Sequence, residues 1–212
     1  NIDDYNKIKS TPDNLIDIKS IDTAESDFLP TLTNMIENLG KVFSISSFAE
    51  DFKQKVKNRQ DFIELGLRYK EEENGVCPFC GQKFEKESLS LIDKYTHYLS
   101  DEEAKAIKQF QVYKNNIEEE KKRLKGLQVQ SIKAINFFDE YKQKYIPSFE
   151  KENLQEIEIK FLEEDLDNLS EHLKKKIENL STKVNLGTEF ISQIAEHYSQ
   201  LEKIIKDNNK KI

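Results

Sequence analysis

The only two cysteines of the 212-residue chain are Cys77 and Cys80, inside Cys77-Pro78-Phe79-Cys80-Gly81-Gln82. Two thiolates separated by two residues can bite one tetrahedral ion at about 2.3 Å per sulfur, and zinc takes four ligands. Gly75 and Gly81 flank the pair and let the backbone turn so that its N–H groups point at the sulfurs. Phe79 is placed to shield the loop. The pair is half a zinc site, and three completions are open. A second copy of the chain can donate its own pair in trans, giving a four-cysteine site and a homodimer. His97, inside a predicted helix beyond Cys80, can serve in cis, although no fourth ligand stands out. The third completion is no metal at all, with the loop held by packing. A redox role needs a strand before the motif and a helix after it; here a helical pattern precedes it.

Other chemistry is absent from these residues. There is no Walker-type phosphate loop, no dinucleotide glycine fingerprint and no nucleophile elbow. His172 and His197 sit within helix patterns beside Glu171 and Glu196 and read as ordinary helix residues. The acidic runs at 118–120 and 163–165 read as solvated faces with lysine partners three or four residues away. No catalytic constellation emerges, so the segment is read as non-enzymatic.

Composition points to helices with narrow apolar stripes. Apolar residues make up 36% and charged residues 34%, against roughly 45–50% apolar for typical globular chains. The 13 Phe and 8 Tyr suffice to bury helix faces. Net charge is −7, and only Arg59, Arg68 and Arg123 are arginines; this argues against a nucleic-acid contact, which favours a basic excess and Arg forks. The cluster Lys121, Lys122, Arg123 and Lys125 reads as a solvated face. No apolar run approaches the ~20 residues that cross a bilayer, and no signal-peptide pattern opens the chain. Paired cysteines in a lysine-rich chain indicate a reducing, cytoplasmic setting. The first residue is not Met and the last ones continue a polar helix, so the chain is expected to be a piece of a larger protein.

The elements that must position the cysteines are helical throughout. Residues 1–46 form a lead-in, with Leu15, Ile18 and Ile21 spaced as a helix and a short helix after Pro30 stopped at Gly40. Residues 47–100 read as helix, cysteine knuckle, helix. Ser47 and Glu50 make a capping box, and Phe48, Phe52 and Val56 recur every four residues. Residues 101–184 read as a long antiparallel hairpin turning near 146–150, at Pro147. Its first rod carries Ala104, Ile107, Phe110, Ile117, Leu124, Leu127, Ile132, Ile135 and Phe138, and at 1.5 Å per residue spans about 65 Å. The return rod starts near 149–153 with Leu162, Leu166, Leu169, Leu173, Ile177, Leu180 and Val184, a heptad seam with one stutter. After a break at 185–188, a return helix fills 185–212. The fold class is all-α: an elongated antiparallel helical hairpin or coiled coil with a short cysteine-knuckle loop.

Residues 58–125 carry a resemblance. The stretch 59–69, the hexapeptide from Cys77 to Gln82, the residues Leu91-Ile92-Asp93-Lys94-Tyr95 and the ending 204–212 resemble the coiled-coil insertion of PrrC-like AAA-type, SMC-like ATPases, the anticodon-nuclease-related family. The resemblance implies a nucleotide-binding head split by a helical insertion. Some members cut tRNA as an anti-phage response, with the nuclease centre elsewhere. It also implies, by way of related zinc-hook ATPases, that a cysteine pair can join two molecules through zinc. This chain departs from the whole-family pattern in lacking both phosphate-binding motifs and any nuclease residues. The expected role is a non-catalytic structural or interaction arm, binding itself or other protein helices and no membrane. The alternative is an independent helical protein-interaction module with a metal-free knuckle.

Overall fold

The computed structural model describes residues 2–9, 18–24, 26–72, 76–77, 80–145 and 153–212. Among these residues every regular element is an α-helix: α1 (Ile2–Lys9), α2 (Phe28–Leu39), α3 (Glu50–Lys57), α4 (Gln60–Glu72), α5 (Lys86–Ser100), α6 (Glu102–Tyr145), α7 (Lys160–Glu178) and α8 (Thr188–Asn209). The all-α class is as the sequence implies. The chain divides into two compact units, one of Asn1–Gly40, Tyr113–Leu173 and Asn185–Ile212, the other of Lys41–Val112 and Lys174–Val184. The expected helix through Leu15 and the Pro147 turn lie outside the described residues, and residues 18–24 are not helical.

The first unit is built on heptad seams. Along α6, Tyr113, Ile117, Glu120, Leu124, Leu127, Ser131, Ala134 and Phe138 are buried. They alternate steps of four and three, the spacing that keeps one stripe facing a partner helix. Ile132 is 42% exposed, contrary to the sequence reading. The seam's register passes through the smaller Ser131 and Ala134, both buried. Lys121 pairs with Asp167, and Lys125 with Glu163 at 3.3 Å. As the α6 number rises by four the α7 number falls by four, so the two helices are antiparallel, as expected. Each fully buried leucine of α7, namely Leu166, Leu169 and Leu173, contributes about 1.5–3 kcal/mol relative to exposure.

The return rod differs from expectation at both ends. It begins at Lys160, and residues 153–159 are not helical, although Leu154, Ile157 and Ile159 among them are buried. At the other end the helix stops at Glu178, short of the Val184 the seam suggested.

The second unit holds that end of α7. Lys176, not Ile177, continues the four–three spacing and is 0% exposed, so the stutter disappears. Its ammonium donates to the backbone carbonyls of Lys41, Leu180 and Thr182 and lies 5.3 Å from the centre of the Phe43 ring. Lys41 follows α2, and Leu180 and Thr182 follow α7, so the ammonium serves carbonyls that lie outside both helices. Burial still pushes the Lys176 amine below its ordinary value.

The core of this unit is Val56, Tyr98 and Ala104, with Phe48, Phe52, Ile63, Tyr95 and Leu99 packed on it. Phe52 stacks on Phe48 at 5.2 Å and on Tyr95 at 5.4 Å. The four-residue recurrence of Phe48, Phe52 and Val56 thus marks a real face. The capping box does not form: α3 starts at Glu50 without a side-chain cap. As the first helical residue, Glu50 points along the helix and accepts from Gln54 and pairs with Lys53. The acidic start of α6 pins the preceding loop instead. Glu102 accepts the Ser44 amide at 2.9 Å and Glu103 the Ser46 amide at 2.6 Å. Lys53 is buried against Glu103 at 3.3 Å. Tyr98 beside it is pushed up to about 12 by burial and then by the charges of Glu103, Glu50 and Asp101.

Candidate metal centre and its supports

The cysteine pair closes the hairpin of α4 and α5, which pack on each other. Val76 and Lys83 form an isolated antiparallel bridge at the base of the turn. Within it the Cys77 amide donates to the Gln82 carbonyl at 2.8 Å, and the Gly81 amide donates to the Cys77 carbonyl at 2.8 Å. Gly81 has φ +67°, a left-handed conformation that side chains with a Cβ adopt at a cost of about 1–2 kcal/mol. Glycine after the second cysteine is therefore required by the turn. Cys77 is half-buried and Cys80 exposed. The Cys80 Sγ lies 3.6 Å from the Gln82 side-chain oxygen. Gly75, Pro78 and Phe79, read from the sequence as parts of this loop, lie outside the described residues.

His97 is placed near the far end of α5, exposed, with its carbonyl accepting from Ser100. Ten helical residues lie between it and Lys86, about 16 Å of rise. Among the described residues no three of His, Cys, Asp and Glu come together as a metal cluster, so His97 is not brought to the pair. Two thiols on a tight, glycine-closed turn fit half of a tetrahedral zinc site.

The sequence reading missed several buried polar residues that organise the first unit. Glu120 is 5% exposed. It accepts from Arg123 Nε at 2.9 Å and Nη2 at 2.6 Å, from the Tyr198 hydroxyl and from Ser26 Oγ at 3.1 Å. Burial pushes its carboxyl up, but these donors outweigh it and hold the group below the ordinary carboxylate range. Burial and the Glu120 charge together push the Tyr198 hydroxyl far up. Arg123 also donates to the carbonyls of Thr23 and Ala24. Thr23 and Ala24 are thereby strapped to α6.

Two adjacent asparagines finish the strap. Asn209 accepts the Ile21 amide and donates to the Ile21 carbonyl, both at 2.8 Å. Asn208, 0% exposed, does the same for Gln155, again at 2.8 Å twice. Each side-chain amide imitates a neighbouring strand and satisfies both backbone groups of one non-helical residue. A polar residue at a seam position, as Asn208 and Glu120 are, was the sequence signal available.

The remaining histidines and basic residues have local roles. His172 Nδ1 is 2.8 Å from the Asn168 carbonyl one turn back. His197 Nδ1 is 2.8 Å from the buried Asp165 carboxylate, which also accepts from Gln193 at 2.7 Å. Lys121, Arg123 and Lys125 all face carboxylates. No described helix is long and apolar enough to cross a membrane.

Compared with known proteins, residues 3–212 match the family described as AAA domain (AAA_13). No curated protein matches the chain, and no solved structure does.

Proposed function

The chain belongs to the AAA domain family, and we propose that these residues are the non-catalytic helical arm of an SMC-like ATPase. In this reading ATP chemistry belongs to other parts of the parent protein, and the arm carries contacts with partners. What supports it is the family match over residues 3–212 together with the helical build of every regular element among the described residues. A PrrC-like, anti-phage parent is the finer form of this reading, and it rests on residues 59–69 and the hexapeptide from Cys77 to Gln82.

The knuckle gives the arm a means of joining a second copy. Zinc, when bound, supplies a tetrahedral link between thiolates. Cys77 and Cys80 would furnish two of its ligands and the same pair of another chain the other two. The turn around Gly81 presents Cys80 at the surface, where such a partner can reach it.

Two measurements test this. The chain is titrated with ATP by calorimetry and assayed for hydrolysis; no binding is expected, and turnover by the chain alone refutes the non-catalytic assignment. Zinc per chain and mass in solution are then compared for the wild type and the Cys77→Ser, Cys80→Ser variant. Half an equivalent of zinc with a dimer lost in the variant supports the link. A metal-free monomer in both removes it.

A further inference from the structure

A small groove opens at the start of α7. Leu162 and Leu201 line its apolar part, Phe161 and His197 its aromatic part, and Glu156 and Glu158 its acidic part. Phe161 is 58% exposed. It is also held in place. Its ring stacks on His197 at 5.6 Å and 27°. His197 is fixed by Asp165, and Asp165 in turn by Gln193. Against a carboxylate acceptor, the Nδ1 of His197 carries the proton. The result is a rigid aromatic platform on the surface.

The acidic residues beside it are uncommitted. Glu156 and Glu158 are exposed on the non-helical segment and form no ion pair or hydrogen bond with any described residue. A volume of about 200 Å³ is below the roughly 300–1,000 Å³ of small-molecule sites and suits one long side chain. Carboxylates repel an anion there, and a purely apolar group would leave them unanswered.

We propose that this groove receives an arginine from a partner protein. Its guanidinium would lie over Phe161 and meet the Glu156 and Glu158 carboxylates, and its methylenes would run along the half-buried Ile204. Arginine fits better than lysine because its planar, weakly hydrated cation both stacks on a ring and forms paired hydrogen bonds to carboxylates. The apolar stem buries along the groove while the head stays with the charges.

The test uses the full 212-residue chain and a short alanine-based helical peptide carrying one arginine and one leucine four residues apart. Binding is followed by NMR shifts of the Phe161 and His197 ring signals. Saturable shifts are expected with the arginine peptide, and none with the same peptide carrying citrulline, the neutral isostere. Glu156→Gln with Glu158→Gln, on an exposed segment, is expected to weaken binding about tenfold with an unchanged circular dichroism spectrum. Equal binding of the citrulline peptide, or no ring shifts with the arginine peptide, overturns the assignment. So does concentration-dependent self-association that Arg59→Gln or Arg68→Gln removes, because it gives the groove to a second copy.

Discussion

Replacing Glu120 by glutamine is the most informative perturbation of the first unit. The shape is kept, but the carboxylate charge is lost, and the amide nitrogen can no longer accept. Four donor atoms converge on the wild-type carboxylate, two of them from Arg123. Breaking a buried pair while one charge stays behind costs about 3–5 kcal/mol. Arg123 is not wholly stranded: its side chain is 31% exposed and it keeps the Ala24 carbonyl at 3.1 Å. We therefore expect a loss of about 2–3 kcal/mol for Glu120→Gln, read from urea unfolding at pH 7 by far-UV circular dichroism. The pH dependence supplies a second readout. Glu120 is held below its ordinary value in the folded chain, so its stabilisation is present above the unfolded value of about 4.3 and is lost as pH falls through the folded value. The gap between wild type and variant should close as the medium is acidified below about pH 4. A difference under about 1 kcal/mol at pH 7, or a gap that is the same at both ends of the pH range, would refute the reasoning.

Two further predictions follow from buried polar atoms. Asn208→Ala should cost about 2 kcal/mol and speed hydrogen exchange at the Gln155 amide, and Asn209→Ala should do so at Ile21; if either variant loosens both sites equally, the two clamps are not separate. The Ser131 hydroxyl is buried on the α6 seam with no hydrogen-bond partner among the described residues, so Ser131→Ala should raise stability by about 1 kcal/mol, and an unchanged or lower melting temperature counts against it.

What the sequence determined by itself is the period of the chain. Helices follow from the spacing of Phe48, Phe52 and Val56, of Ile117, Leu124 and Leu127, and of Leu162, Leu166 and Leu169, because local periodicity is fixed by backbone geometry. The turn role of Gly81 was also legible, since a glycine after paired cysteines answers a local demand for positive φ. Which residue occupies a seam is a different matter. Ser131 and Ala134 displace Ile132, and Lys176 displaces Ile177. In each case the register set by neighbouring helices outweighs the hydrophobicity of a single side chain. Only the tertiary structure could bring Asn208 to Gln155, Asn209 to Ile21 and Glu120 to Tyr198. A polar side chain carries no record of its partner along the sequence. Its hydrogen bonds are decided by what folding places within about 3 Å of it.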